Sequence, residues 1–140
     1  MDKGRILVVD DEMHFRYFIR LLLENNGYEV KVARNGIEAL SVLQDWTPNC
    51  ITLDVMMPEK GGLTLYEALC RHEIWKTIPV VMLSAVPVSV REHALNILRL
   101  SLGDMPEPAA CLEKPVSPEQ IVSTVQQLLS GNAYTVAHKE

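Results

Sequence analysis

The sequence lacks any hydrophobic run long enough to cross a membrane or to form the core of a signal peptide. Its first apolar stretch, Ile6 to Val9, is interrupted by Asp10. A membrane helix needs about 20 apolar residues, and a signal-peptide core needs about 7 to 15. The absence of both predicts a protein that does not enter a membrane, and it favours a location in the cytoplasm.

Cysteine and positive charge are also scarce. The three cysteines, Cys50, Cys70 and Cys111, form no CxxC pair and no His/Cys ligand spacing, so we expect buried free thiols in a reducing compartment. The net charge of -5 provides no basic field and argues against direct nucleic-acid binding. No glycine-rich phosphate loop follows the first apolar run, so a nucleotide-binding role has no support.

Five short apolar runs alternate with five stretches of helical spacing. The chain has 140 residues, of which 48% are hydrophobic and 22% charged, as expected for one globular domain. The predicted strands are Arg5 to Asp10, Tyr28 to Ala33, Cys50 to Asp54, Ile78 to Ser84 and Ala109 to Leu112. The predicted helices are Glu12 to Asn26, Asn35 to Asp45, Leu63 to His72, Ser89 to Leu102 and Ser117 to Ser130. Strict alternation predicts an α/β fold in which helices cover both faces of a parallel sheet.

The domain is predicted to span residues 1–131, and residues 132–140 lack periodicity and are expected to form a loose tail. The second helix is predicted to place Ile37, Leu40 and Leu43 on its inner face. Ser117 is predicted to cap the final helix, with Pro118 at its first position.

Polar residues stand where four of the predicted strands end. Ligands of an open parallel sheet bind beyond the carboxyl ends of its strands. With a strand order of 2-1-3-4-5, those ends would meet at one edge. The residues delivered there are Asp10 and Asp11 after the first strand, Asp54 at the end of the third, Ser84 at the end of the fourth and Lys114 after the fifth.

Each of these residues has an ordinary structural explanation when taken alone. The acids could cap helices, Ser84 is of a type common at strand ends, and Lys114 could be a solvated surface charge. Three carboxylates at one edge would repel each other, however, and a divalent cation would remove that repulsion. Hard oxygen ligands favour Mg²⁺, and the absence of His or Cys among the acids argues against zinc.

A phosphoryl group would give every polar residue at this edge a role. A carboxylate can act as a nucleophile and form an aspartyl-phosphate, and Asp54 on the central strand is the best placed. Lys114 would neutralise one phosphoryl oxygen, and the Ser84 hydroxyl would donate a hydrogen bond to another.

The chain resembles the receiver domains of two-component response regulators over nearly its whole length. Four segments carry the resemblance in the same order as in that family: Leu7-Val8-Val9-Asp10-Asp11-Glu12, Leu53-Asp54-Val55-Met56-Met57-Pro58 followed by Gly62, Val81-Met82-Leu83-Ser84-Ala85, and Glu113-Lys114-Pro115. The resemblance implies a flavodoxin-like, doubly wound, five-stranded parallel sheet of order 2-1-3-4-5.

The resemblance also implies a function as a signalling phosphoacceptor, not an enzyme acting on other substrates. Asp54 would receive its phosphoryl group from the phosphohistidine of a sensor histidine kinase or a histidine phosphotransfer protein. Mg²⁺ would be held by Asp11, Asp54 and the backbone carbonyl of Met56, with Asp10 acting through water. Ser84 would then move toward the phosphoryl group, and the bond between Lys114 and its following proline would be cis.

The family's output face consists of the last two helices and the fifth strand, and phosphorylation would rearrange it to control an unknown partner. Cys111 stands where the family usually carries an aromatic residue. The segment between Ser84 and Lys114 is longer than usual, and the excess falls in residues 94–108. Its apolar residues fit either packing on an extended connector or docking of a partner or a second copy of the chain.

Two other functions compete with the phosphoacceptor hypothesis. A degenerate receiver would act only as a protein-interaction module, but it would be expected to lack Asp54, Lys114 or the acid pair. A haloacid-dehalogenase-type phosphatase would carry its nucleophile on the first strand in an Asp-x-Asp arrangement, whereas Asp10 and Asp11 are adjacent.

Overall fold

The computed structural model describes residues 3–55, 62–84, 96 and 108–130. The strands are β1 (Arg5–Val9), β2 (Glu29–Ala33), β3 (Cys50–Asp54), β4 (Val80–Ser84) and β5 (Ala110–Glu113). The helices are α1 (Met13–Asn25), α2 (Gly36–Leu43), α3 (Gly62–Arg71), a 3₁₀ turn (Trp75–Thr77) and the C-terminal helix (Pro118–Leu129). The strands form one parallel sheet of order β2-β1-β3-β4-β5. The predicted doubly wound, flavodoxin-like fold and its strand order are therefore confirmed.

Several predictions fall on parts of the chain that the structure does not describe. These are the predicted helix from Ser89 to Leu102, the apolar surface assigned to it, the domain boundary at residue 131 and the tail at 132–140. In the described part of the chain, no helix is both long enough and apolar enough to cross a membrane.

The sheet separates two apolar cores, because side chains alternate between its faces along every strand. On one face, Ile51 and Leu53 of β3 pack with α2 and α3. On the other, Ile6 and Val8 of β1 pack with α1 and the C-terminal helix. All five residues of β3 are buried, so this strand is the centre of the fold and carries its last residue, Asp54, into a nearly dry position.

Side-chain caps define where the helices begin. The side chains of Glu12, Asn35 and Ser117 each accept a hydrogen bond from the backbone N–H three residues later. Pro118 is at the first position of the C-terminal helix, so the predicted cap there is confirmed. The bond from the Phe15 N–H favours the ionised carboxylate of Glu12 and lowers its pKa.

Four details differ from the sequence predictions. Ile37 is 56% exposed, because the buried residues of α2 are Gly36, Ala39 and Leu43, and Ile37 lies off that stripe. The 3₁₀ turn was not predicted, and β4 begins two residues later than expected. The three cysteines are free as predicted, but only Cys50 is fully buried, and its burial raises the pKa of its thiol to about 12.

The 3₁₀ turn depends on a histidine whose role is not visible in the local sequence pattern. Nδ1 of His72 accepts hydrogen bonds from the backbone N–H groups of Ile74, at 3.1 Å, and Trp75, at 3.2 Å. The imidazole also stacks on the Trp75 indole, with 3.7 Å between ring centroids. The turn ends at Ile78, whose N–H donates to the carbonyl of Trp75. Pro79 has no N–H to donate, so β4 begins at Val80.

We predict that Thr52→Val stabilises the fold. The Thr52 hydroxyl is buried in the central strand and has no hydrogen-bond partner among the described residues. Valine has the same shape, so the substitution removes an unsatisfied polar group and should raise the free energy of unfolding by about 1 kcal/mol. Urea denaturation measures this change.

The control for this prediction is Val8→Thr, because Val8 lies beside Thr52 in the register of β1 and β3 and is fully buried. The Val8→Thr substitution inserts a hydroxyl beside Thr52 in the buried part of the sheet, and it should lower the free energy of unfolding. A Thr52→Val protein that unfolds at a lower urea concentration than the wild type contradicts the prediction.

Candidate functional site

Three acidic side chains meet at the carboxyl ends of β1 and β3. Asp10 follows β1 directly, Asp11 comes next, and Asp54 is the last residue of β3. One oxygen from each carboxylate lies within 4.8 Å of the others. Asp10 and Asp54 are buried and Asp11 is exposed, so the cluster meets water at Asp11. The structure thus brings together the three acids that the sequence singled out.

Lys114 reaches this cluster from the end of β5. Its Nζ lies 3.0 Å from Oδ2 of Asp10 and 3.8 Å from Oδ2 of Asp54. The side chain is only 18% exposed, so the alternative of a solvated surface lysine is wrong. The peptide bond between Lys114 and Pro115 is cis, as the resemblance implied.

Asp10 has a partner for each of its polar groups. Its Oδ1 accepts a hydrogen bond from the Glu12 N–H at 2.9 Å, and its Oδ2 accepts one from Lys114. Its backbone carbonyl accepts from Nη1 of Arg16 at 2.8 Å, and its own N–H donates to the carbonyl of Ala33. Asp10 therefore organises the loop between β1 and α1. It does not cap α1, because Glu12 does.

The start of α3 touches the backbone of the strand that carries Asp54. The N–H of Gly62 donates to the carbonyl of Val55 at 3.2 Å. A Cβ on Gly62 would overlap the backbone oxygen of Asp54 and would lie 2.7 Å from Cα of Val55. The sequence motif included Gly62, but only the structure shows that the close approach of two backbones requires a residue without a side chain.

An aromatic residue at the site was missed by the sequence analysis. The Nζ atom of Lys114 lies 4.1 Å from the centroid of the Phe15 ring. The sequence placed Phe15 among the apolar residues of α1, and its only distinguishing signal was a position shortly after the acid pair.

The remaining predicted residues are less fully described. Ser84 ends β4 beside Glu113 in the register, and Met56 lies outside the described residues.

The residues at this edge fit a divalent cation that prefers oxygen. The cluster offers carboxylate oxygens, and an exposed side leaves room for the waters that Mg²⁺ usually keeps. Both carboxylate oxygens of Asp10 already accept hydrogen bonds, which fits a role for Asp10 other than direct coordination of an ion.

Comparison with known proteins places the chain in a family. The family model described as the response regulator receiver domain matches residues 6–126. The chain belongs to this family. Receiver domains are signalling phosphoacceptors, and they generally bind Mg²⁺ in an acidic pocket, which here corresponds to Asp10, Asp11 and Asp54.

Relatives and solved structures agree with that assignment. The polar-differentiation response regulator DivK of Brucella anthropi is 30% identical over 129 residues, which cover 92% of this chain and 98% of that protein. A putative response regulator from Chloroflexus aurantiacus has a TM-score of 0.78 at 29% identity, with 91% of this chain and 98% of the other covered. The chemotaxis response regulator CheY4 of Vibrio cholerae has a TM-score of 0.76 at 27% identity, with 89% and 98% covered.

Other relatives are much longer than the segment they share with this chain. The protein-glutamate methylesterase/protein-glutamine glutaminase 3 of Rhodospirillum rubrum is 44% identical over 101 residues, which cover 71% of this chain but 26% of that protein. The chain spans 49% of the probable transcriptional regulator ycf27 of Cyanophora paradoxa and 51% of the regulatory protein PhoB of Pseudomonas aeruginosa. The shared part is the receiver domain.

We predict that Lys114→Met destabilises the protein when no divalent cation is present. The substitution leaves the buried carboxylates of Asp10 and Asp54 without their ammonium partner, which should lower the free energy of unfolding by roughly 3 kcal/mol. Mg²⁺ should recover part of this loss, because a dication offsets the same charges. Thermal unfolding in EDTA and in excess Mg²⁺ measures both effects.

Lys76→Met is the matched control for charge removal, because Lys76 is exposed in the 3₁₀ turn. It should unfold like the wild type under both conditions. If the Lys114→Met protein also unfolds like the wild type in EDTA, the ammonium does not offset the buried carboxylates.

We further predict that Gly62→Ala destabilises the junction of β3 and α3. Its Cβ would meet backbone atoms that cannot rotate away, so the helix must move, and we expect a loss of about 3 kcal/mol. The control is Thr64→Ala, an exposed position two residues further along α3. Urea denaturation compares the two, and equal midpoints would contradict the close approach.

Proposed function

We propose that the chain is a phosphorylation-controlled switch in which Asp54 accepts a phosphoryl group. The donor would be the phosphohistidine of a sensor histidine kinase or of a histidine phosphotransfer protein. The observation that carries this proposal is the position of the Lys114 ammonium between two buried carboxylates, within 3.0 Å of Asp10 and 3.8 Å of Asp54. An ammonium held beside Asp54 can neutralise the negative charge of a phosphoryl group transferred to that residue.

The transfer requires one bond to form and one to break. A carboxylate oxygen of Asp54 attacks phosphorus, and the P–N bond to the donor imidazole breaks with its electron pair remaining on nitrogen. The released imidazolate then takes a proton from water and becomes neutral imidazole. The protein contributes position and charge, which dominate catalysis of phosphoryl transfer. Lys114 stabilises one phosphoryl oxygen, and the Ser84 hydroxyl donates to another.

Mg²⁺ is the cofactor that this site would use. Asp11, Asp54 and the Met56 backbone carbonyl would hold it, and Asp10 would act through water. Such an ion neutralises the charge on the carboxylates and on the phosphoryl oxygens. The protein's own residues still have to orient the Asp54 oxygen, and the burial of the Asp54 side chain within an ordered strand supports that role.

A partner that delivers the phosphoryl group must dock beside the acid cluster, and α1 offers an apolar surface there. Met13, Tyr17 and Leu21 lie four residues apart and are 60%, 58% and 40% exposed. That spacing places them along one side of the helix. We propose that the phosphodonor contacts this stripe, because α1 begins next to the acid pair.

The consequence of phosphorylation would be a change at the output face defined above. An aspartyl-phosphate adds charge and hydrogen-bond acceptors, which bias a two-state element. An unidentified output partner, or a second copy of the chain, would read that change. We propose that the switch works in the cytoplasm, where its three free cysteines would stay reduced. We propose that it catalyses only its own phosphorylation and dephosphorylation and acts on no other substrate.

The competing functions have less support. A binding-only receiver would not need its acid pair, Asp54 and Lys114 to converge, yet all four lie in one cluster. A haloacid-dehalogenase-type phosphatase would need its nucleophile on the first strand. Asp54, the acid best placed to act as a nucleophile, is instead the last residue of β3.

The test is incubation with acetyl phosphate and Mg²⁺ followed by intact-mass measurement. The wild type should gain one phosphoryl group, and Asp54→Asn or chelation of the metal should abolish the gain. Asp45→Asn, at an exposed acid after α2, should leave it unchanged. A wild-type protein that gains no phosphoryl group, or an Asp54→Asn protein that gains one as fast as the wild type, would overturn the assignment.

A further inference from the structure

The Lys114 ammonium has three neighbours at the site, and one of them carries no charge. Asp10 lies at 3.0 Å, Asp54 at 3.8 Å and the centroid of the Phe15 ring at 4.1 Å. A cation within about 6 Å of a ring centroid is attracted by the negative face of the ring, and the attraction grows when water is excluded. The low exposure of the Lys114 side chain meets that condition.

The Phe15 ring is itself well fixed. Phe15 lies in the first turn of α1, where its N–H donates to the Glu12 carboxylate at 2.7 Å. Its side chain packs against the core cluster shared by α1 and the C-terminal helix. A lysine stem is flexible, so an anchored ring restricts where the ammonium can go.

The two carboxylates hold the ammonium at unequal distances. The shorter contact is with Asp10, which holds the ammonium on the β1 side of the cluster. To neutralise a phosphoryl oxygen on Asp54, the ammonium must shift away from Asp10 without escaping to water. The ring attracts a cation without directional hydrogen bonds, so it can retain the ammonium throughout such a shift.

We infer that Phe15 is a positioning residue for Lys114, whose ring holds the ammonium at the phosphorylation site through a cation–π contact. This inference rests on the proposed phosphoacceptor function for its kinetic consequence, but the contact itself can be measured without phosphorylation. Phe15 touches neither Asp54 nor the phosphoryl group in this scheme, and it acts only through the lysine.

The test compares Phe15→Leu, Phe15→Met and Phe15→Tyr. Leucine and methionine keep an apolar side chain against the core but remove the ring, whereas tyrosine keeps the ring. The rate of phosphorylation by acetyl phosphate should fall about tenfold with leucine or methionine and stay within about twofold of wild type with tyrosine. Phe18→Leu, which removes the neighbouring and more exposed ring, should leave the rate near wild type.

Proton NMR of the unphosphorylated protein measures the contact directly. The ε-methylene protons of Lys114 should be shifted upfield by the ring current of Phe15, and the Lys114→Met protein assigns that signal. The upfield shift should persist with tyrosine and disappear with leucine and methionine. A merely structural role for Phe15 would not make the shift and the rate follow the presence of an aromatic ring.

The outcomes separate this inference from the proposed function. If the wild type is not phosphorylated but the upfield shift is present and requires an aromatic residue, the function fails and the contact stands. If the wild type is phosphorylated and the leucine and methionine variants react at its rate, the positioning role is overturned. Absence of any upfield shift in the wild type overturns the contact itself.

Discussion

The ion pair between Lys114 and Asp10 connects parts of the chain that no local pattern relates. The two residues are separated by 104 positions, and they follow strands that have β3 and β4 between them. Three inter-strand spacings amount to about 14 Å, more than a lysine side chain can span, so both residues must lean over the sheet edge. The hydrogen bonds of the Asp10 backbone, to the Ala33 carbonyl and from the Arg16 side chain, fix where the Asp10 side chain starts.

Asp10 and Asp11 are adjacent in sequence, yet the structure gives them different environments. Asp10 is almost fully buried, and its carboxylate accepts hydrogen bonds from both a backbone N–H and an ammonium. Asp11 is exposed at the mouth of the cluster. The two acids of such a pair can therefore have different roles. One member organises the loop and holds the lysine, while the other faces solvent, where a hydrated ion would approach.

Hydrophobic periodicity was sufficient to predict the strands and helices, and their alternation predicted a parallel sheet, because strands buried on both faces and helices with one apolar stripe have distinct patterns. The strand order came from the resemblance to receiver domains. The site acids followed from the fold, since each stands at the end of a strand. The roles of Phe15 and Gly62 did not follow. An apolar residue on an amphipathic helix is expected to pack in the core, and a glycine before a helix is common in loops. Their importance depends on Lys114 and on the backbone of Asp54, which approach them only in three dimensions.

The charge balance of the cluster explains why a metal and a lysine would both be needed. Three carboxylates outweigh the one ammonium by two charges before any reaction. Under the proposed function, converting Asp54 to an aspartyl-phosphate makes this imbalance larger, because a phosphoryl group carries more than one negative charge at neutral pH. The lysine cannot pair with Asp10 and a phosphoryl oxygen equally well. Phosphorylation would therefore draw the ammonium away from Asp10 and weaken the contact that links β5 to β1. In this view, movement of Lys114 is the first structural consequence of phosphorylation, and it begins at the end of β5, a strand of the output face.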